Sequence, residues 1–217
     1  MNKLVVAEKN IVIDNQELEL ELKRDIQITC CGKNTVVIHN KDNVNLHIVL
    51  NDESSLKLLM VNPNKKGSSN ITIEQNNNTS IIYKESFISE YDTDLTINNI
   101  VKGKNSKSNI MIRCISKKNN ININVLAKVL ENTQDNDIIE DIKGINHGGT
   151  VLIQPNMEID TSLVSANHFV TIGDINKESL FYLQSQGIKK SIAQELILKG
   201  FLKSIFREEK IDMFGGE

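Results

Sequence analysis

The chain of 217 residues has no tryptophan, two prolines and three cysteines, and aromatic side chains make up only 4% of it. Each scarcity removes a class of function. With so few stacking rings and a net charge of −3, the chain cannot offer the basic, aromatic surface that grips nucleic acid. Cys30, Cys31 and Cys114 are odd in number and form no C-x-x-C pair, so neither a disulfide framework nor a zinc site is indicated, and a reducing compartment is. The first apolar run, Leu4 to Ala7, is too short for a signal peptide, and no stretch approaches the length of a membrane span. The expectation is a cytoplasmic protein that binds neither nucleic acid nor membrane.

Hairpin signals are missing as well. Neither Asn-Gly nor Asp-Gly occurs, so tight two-residue hairpins are not encoded. What is present from Leu4 to Val129 is a series of short β-branched runs separated by Asn, Asp, Lys, Ser and Gly, among them NIVID (10–14), TVVIH (35–39), NITIE (70–74) and NIMIRCIS (109–116). In Glu17–Lys23, Asn70–Glu74 and Asn119–Val125 every second residue is aliphatic, as a strand with one buried face requires. Many short strands without hairpin turns favour a β-solenoid, with coil stacked on coil, over a sandwich.

Several local features have ordinary readings. Lys102-Gly103-Lys104-Asn105-Ser106-Lys107 has the letters of a phosphate loop without its spacing, and reads as a solvated turn. Adjacent Cys30 and Cys31 could offer soft ligands to iron or copper, but neighbours in a strand point to opposite faces, leaving one thiol in the core; Cys30 is retained as a metal candidate. His39 and His47 lie on separate runs and read as half-buried histidines that could face one another across coils. Asp135, Asp137, Glu140 and Asp141 fall in ENTQDNDIIEDIKG, which reads as an exposed polar loop. Paired carboxylates there define an alternative function, a β-helix enzyme acting on polysaccharide. His147-Gly148-Gly149 reads as a tight turn, and the strand-like run after it as broken by Pro155.

The period changes only near the end. His168 stands among small and apolar residues, and reads either as a satisfied core histidine or as a group for chemistry. Asn176 or Asp174 is placed to cap a helix that runs to Gln186 and stops at Gly187, with Leu180, Leu183 and Phe181 as its apolar face. Ser191 then opens or caps a second helix, whose stripe of Ile192, Leu196 and Leu202 is widened by Ala193, Ile197 and Phe201. Two parts are therefore expected, a β-helix core over 1–173 and a helical domain over 174–217.

The wording of this last stretch is specific. P-x-M-E-I (155–159), SANHFVTIG (165–173), LFYLQSQGI (180–188) and AQELILKGF (193–201) together resemble the carboxy-terminal region of the SufB/SufD family, scaffold subunits of the SUF iron–sulfur cluster assembly machinery. The resemblance implies a mainly β fold, a right-handed parallel β-helix followed by a small helical domain. It implies pairing through the β-helix with a SufB-like chain or a second copy, and docking of the helices on SufC, an ABC-type ATPase. It places the dock on Phe181, Tyr182, Gly187, Ile188, Ala193, Gly200 and Phe201. It implies no catalysis by this chain, no tightly bound cofactor and a transient iron–sulfur cluster in the complex. His168 matches the family's motif histidine, linked to cluster assembly and a possible metal ligand, while Ala166, Asn167 and Phe169 replace its usual neighbours and, with Gly173, mark a minimal, SufD-like member.

Overall fold

Alternation of aliphatic and polar side chains buries one face of each run, and the computed structural model stacks these runs into two parallel sheets; it describes residues 2–6 as backbone alone, and 8–22, 24–39, 43–62, 64–209 and 211 in full. The first sheet orders β1 (Asn2–Val6), β3 (Glu17–Leu22), β5 (Lys33–His39), β7 (Ser55–Asn62), β9 (Ser80–Ser89), β11 (Lys107–Ser116), β13 (Asn136–Asn146) and β15 (Val164–Gly173). The second orders β2 (Asn10–Asp14), β4 (Ile26–Cys31), β6 (Leu46–Leu50), β8 (Gly67–Gln75), β10 (Thr93–Val101), β12 (Asn120–Val129) and β14 (Thr150–Ile159). Odd strands thus pair only with odd strands and even with even, which is a solenoid with one strand per coil in each sheet. The expected β-solenoid is what forms, although Lys23 of the alternating run lies outside the described residues.

Apolar and aromatic side chains fill the lumen in columns such as Leu58, Tyr83 and Ile110, or Ile71, Ile97 and Ile123. A buried ion pair interrupts them. Lys65 folds in from the β7–β8 connection, its Nζ 2.6 Å from Glu85 Oε1, and both side chains are buried. Tyr83 donates its hydroxyl to the other Glu85 oxygen, and the Lys65 ammonium stands 5.0 Å from the Phe87 ring centre.

Three expectations change. The segment read as an exposed acidic loop is mostly β13, whose inward positions Ile138, Glu140 and Ile142 are buried. Pro155 does not break its strand: β14 is an outermost strand, where one edge needs no ladder partner and a missing N–H is tolerated. His39 and His47 sit on different sheets and do not meet; each instead lies 3.3 Å from a glutamate on a neighbouring coil of its own sheet, Glu19 and Glu74 respectively. The turn readings hold. Gly148 has φ +94°, and a Cβ on Gly149 would lie 2.2 Å from the Asn119 carbonyl oxygen, so both positions require glycine.

The chain ends in helices α1 (Lys177–Ser185) and α2 (Lys190–Lys203) and a 3₁₀ turn, Ser204–Phe206. Asn176 caps α1, its Oδ1 accepting from the Ser179 amide at 2.7 Å, and Gly187 follows with φ +83°. Ser191 does not open α2; Lys189 is its N-cap and Ser191 lies within the helix. Leu198, Leu202, Ile205 and Phe206 pack on the outer face of the first sheet against Val37, Leu59, Ile115 and Ile145. Burying each of these four is worth roughly 1.5–3 kcal/mol, which fixes α2 to the solenoid wall.

Candidate functional site

Two surfaces stand out among the described residues. The first is the end of the solenoid formed by the last two strands. There β14 and β15 are the outermost strands of their sheets, each with one row of backbone donors and acceptors unpaired by a strand. Phe169 is 57% exposed, and Val170, Ile172, Leu152 and Ile159 are exposed with it. An uncapped edge bearing several exposed apolar side chains marks a surface made to be covered.

His168 lies in the middle of this edge. Val164 and Ala166 of β15 pack with Ile138, Val129 and Met157, which fixes the inward phase of the strand; His168 is next in that phase. Its in-register partner on β13 is Glu140. His168 itself is exposed, so the reading as a satisfied core histidine does not hold. Beneath it Glu140 is fully buried, neither carboxylate oxygen has a hydrogen-bond partner, and burial pushes its pKa up to about 7. Outward on the same strand, Asp141 accepts from Arg113 Nη2 at 2.5 Å and has Lys143 Nζ 3.6 Å away. The carboxylates of Glu140 and Asp141 thus face opposite sides of the sheet, and the acidic segment cannot present them together to a sugar.

Cys30 is buried, with its thiol pushed up to about 12 by desolvation, while Cys31 on the other face is partly exposed and its Sγ accepts from Asn51 Nδ2 at 3.3 Å. The split between core and surface thiol is as alternation requires. Cys30 is therefore a poor metal ligand, and no cluster of three or more His, Cys, Asp or Glu side chains able to hold a metal occurs among the described residues.

The second surface is helical. No residue of α1 is buried: Phe181 is 73% and Tyr182 63% exposed, so Phe181 does not belong to a buried face, and Leu180 and Leu183 are only half-buried. Ile192 and Leu196 of α2, two positions of its apolar stripe, are exposed as well. Among the positions expected to dock, Gly187 and Gly200 are exposed and Ile188 is half-buried, whereas Ala193 is fully buried and Phe201 packs on the solenoid wall. Those last two position the helix.

Residues 44–201, from before β6 to near the end of α2, match the family described as SUF system FeS cluster assembly, SufBD core domain. The chain belongs to the SufBD family. The iron–sulfur cluster assembly protein SufD of Bacillus subtilis is 36% identical over 58 residues, covering 27% of this chain and 13% of that protein. SufD of Plasmodium falciparum is 37% identical over 62 residues, 28% of this chain and 4% of that protein. A SufBD family protein of Galdieria sulphuraria, ycf24, is 28% identical over 141 residues, 61% of this chain and 62% of that protein. This SufBD chain therefore spans less than two thirds of each of these relatives. No described helix is long and apolar enough to cross a membrane.

Proposed function

We propose that this SufBD chain is a non-catalytic subunit of a cytoplasmic iron–sulfur cluster assembly complex. The observation that carries the reading is the uncapped β15 edge with His168 at its centre and Phe169, Val170 and Ile172 exposed around it. A SufB-like chain or a second copy of this one, laid along that edge, satisfies the free backbone row and covers the apolar patch. His168 then presents an imidazole nitrogen to iron or to a nascent cluster at the junction. The chain holds no resident cofactor, and the cluster is cargo.

The exposed face of α1 and α2 is the dock for a SufC-type ABC ATPase, centred on Phe181, Tyr182, Ile192 and Leu196. Aromatic and aliphatic anchors of this kind dominate the energetics of interfaces. The rear of α2 is tied to the first sheet through apolar packing, through Ser86 Oγ donating to the Leu202 carbonyl at 3.0 Å, and through Lys84 Nζ to Glu209 at 2.6 Å. A movement imposed on the helices by the ATPase therefore reaches the wall that carries β13, and β15 is the next strand. The polysaccharide alternative loses Glu140, which faces the lumen, and Asp141, which Arg113 holds, and keeps only exposed Asp135 and half-buried Asp137.

Co-purification with the cognate ATPase tests the dock. The intact chain is expected to retain the ATPase, and Phe181→Asp combined with Leu196→Asp to lose it without loss of folding, since both positions are exposed. Failure of the intact chain to bind, or undiminished binding by the variant, refutes the assignment.

A further inference from the structure

Alternation in β3 buries Leu20 and sends Glu17 and Glu19 to the outer face of the first sheet, far from the edge at β15. There the segment after the 3₁₀ turn borders a groove of about 570 Å³ across β3, β5 and β7. Buried Val37 and Leu59 back the groove, and Glu17, Glu19 and Glu208 line it. Its charge is one-sided. Lys57 and Lys84 both reach the same oxygen of Glu209, at 3.4 and 2.6 Å. Among the described residues no ammonium or guanidinium answers Glu17, Glu19 or Glu208, and Glu19 has His39 Nε2 3.3 Å away. Glu209 lines the groove as well. Its side chain is only 7% exposed, and its second oxygen, Oε2, is shut off from water and accepts from no other residue. An acceptor left in that state costs about 1–3 kcal/mol until a donor arrives.

We infer that this groove receives an arginine side chain from an extended segment of a partner protein. A groove that joins a buried acceptor lacking a donor to several carboxylates suits a cation rich in N–H groups. Guanidinium meets that need better than ammonium, because its planar fork presents five donors and can serve Oε2 and a second carboxylate together, whereas lysine offers a compact point charge. The aliphatic stem of the arginine lies against Val37 and Leu59. The groove crosses three coils, roughly 10 Å at the usual strand spacing, so the segment runs along the solenoid axis with arginine as its anchor. The wall of these first coils is separated from β15 by β9, β11 and β13, so the segment binds whether or not that edge is covered. The inference goes beyond the assembly reading and does not depend on it.

Fluorescence anisotropy with a labelled Leu-Arg-Leu amide tests the groove on the intact chain, at about 0.15 M salt so that distant charges are screened. Saturable binding of one peptide per chain is expected. The citrulline counterpart, whose urea is neutral but keeps the shape, should bind at least about tenfold more weakly, and so should the arginine peptide on Glu19→Gln combined with Glu208→Gln. Glu209→Gln turns the lone acceptor into a donor and should weaken binding as much; because it also loosens Lys57 and Lys84, the Glu19 and Glu208 pair decides the matter if that variant unfolds. Removing the same charge elsewhere, by Glu131→Gln with Asp160→Asn, should leave the affinity unchanged. No saturable binding, equal affinity for the citrulline peptide, or undiminished binding by the Glu19 and Glu208 variant overturns the inference. An equal loss in the Glu131 and Asp160 variant overturns it too, since that marks a general charge effect. Competition by free agmatine as strong as that of unlabelled peptide overturns the assignment to a protein segment. The assembly reading is judged separately, by ATPase retention, which the Glu19 and Glu208 variant leaves intact.

Discussion

Replacing Lys65 by methionine should be the most damaging conservative change in the solenoid wall, and its magnitude follows from the lumen. The ammonium and the Glu85 carboxylate lie 2.6 Å apart with side-chain exposures of 2% and 0%, so water cannot take over either partner. Methionine fills most of the lysine volume and leaves Glu85 charged, with the Tyr83 hydroxyl still donating to it. Removing one member of such a pair costs about 3–5 kcal/mol, most of it the uncompensated charge. Substituting Glu85 by methionine at the same time removes that charge among Met60 and Ile112, its in-register neighbours, and should recover most of the loss. Urea unfolding at pH 7 of wild type, the two single variants and the double variant measures this, with the slope unchanged if only stability moves. A Lys65→Met cost below about 1 kcal/mol, or a double variant equal to the sum of the singles, refutes the claim that this is a coupled buried pair.

Two other expectations follow from titratable groups. The Glu140 pKa is raised from 4.5 to about 7, so the unfolded chain releases this proton first; stability should fall as pH rises from about 4.5 to about 7 and stay level above, by at most about 3 kcal/mol. Denaturation midpoints at pH 5 and pH 8 should show the gap between Glu140→Gln and wild type widening with pH; a constant gap refutes the assignment. Under native conditions a maleimide should label Cys31 alone, because Cys30 and Cys114 are buried and desolvation pushes both thiols up, Cys30 to about 12. Equal labelling of all three thiols, read by mass spectrometry, would show that the coils do not shield the lumen.

The repeating strands were legible because a lumen lined by Ile, Leu and Val imposes a period of two wherever the outward residues are polar. Where the lumen carries something else, the pattern disappears. Glu140 at an inward position made β13 look like a polar loop, although Ile138 and Ile142 flank it in phase. Pro155 counted against a strand because nothing in its neighbourhood revealed that β14 lies at a sheet edge. In the helices the broad apolar stripe was legible, but not which of its residues are covered: Phe181, Ile192 and Leu196 are exposed, whereas Ala193 and Leu202 are buried. The Lys65–Glu85 contact depends on coil register across twenty residues and left no local signal. At the site, His168 stood out by type and surroundings, but Glu140 is joined to it by a coil of intervening chain and emerged only from strand pairing.

The central claim is that the edge carrying His168 takes part in cluster assembly. Anaerobic reconstitution of the complex with iron and sulfide, followed by iron and acid-labile sulfide analysis per complex, tests it most directly. Wild type should accumulate cluster, and His168→Ala, exposed and therefore folded, should accumulate several-fold less while still retaining the ATPase. Equal iron and sulfide in the two complexes would contradict it.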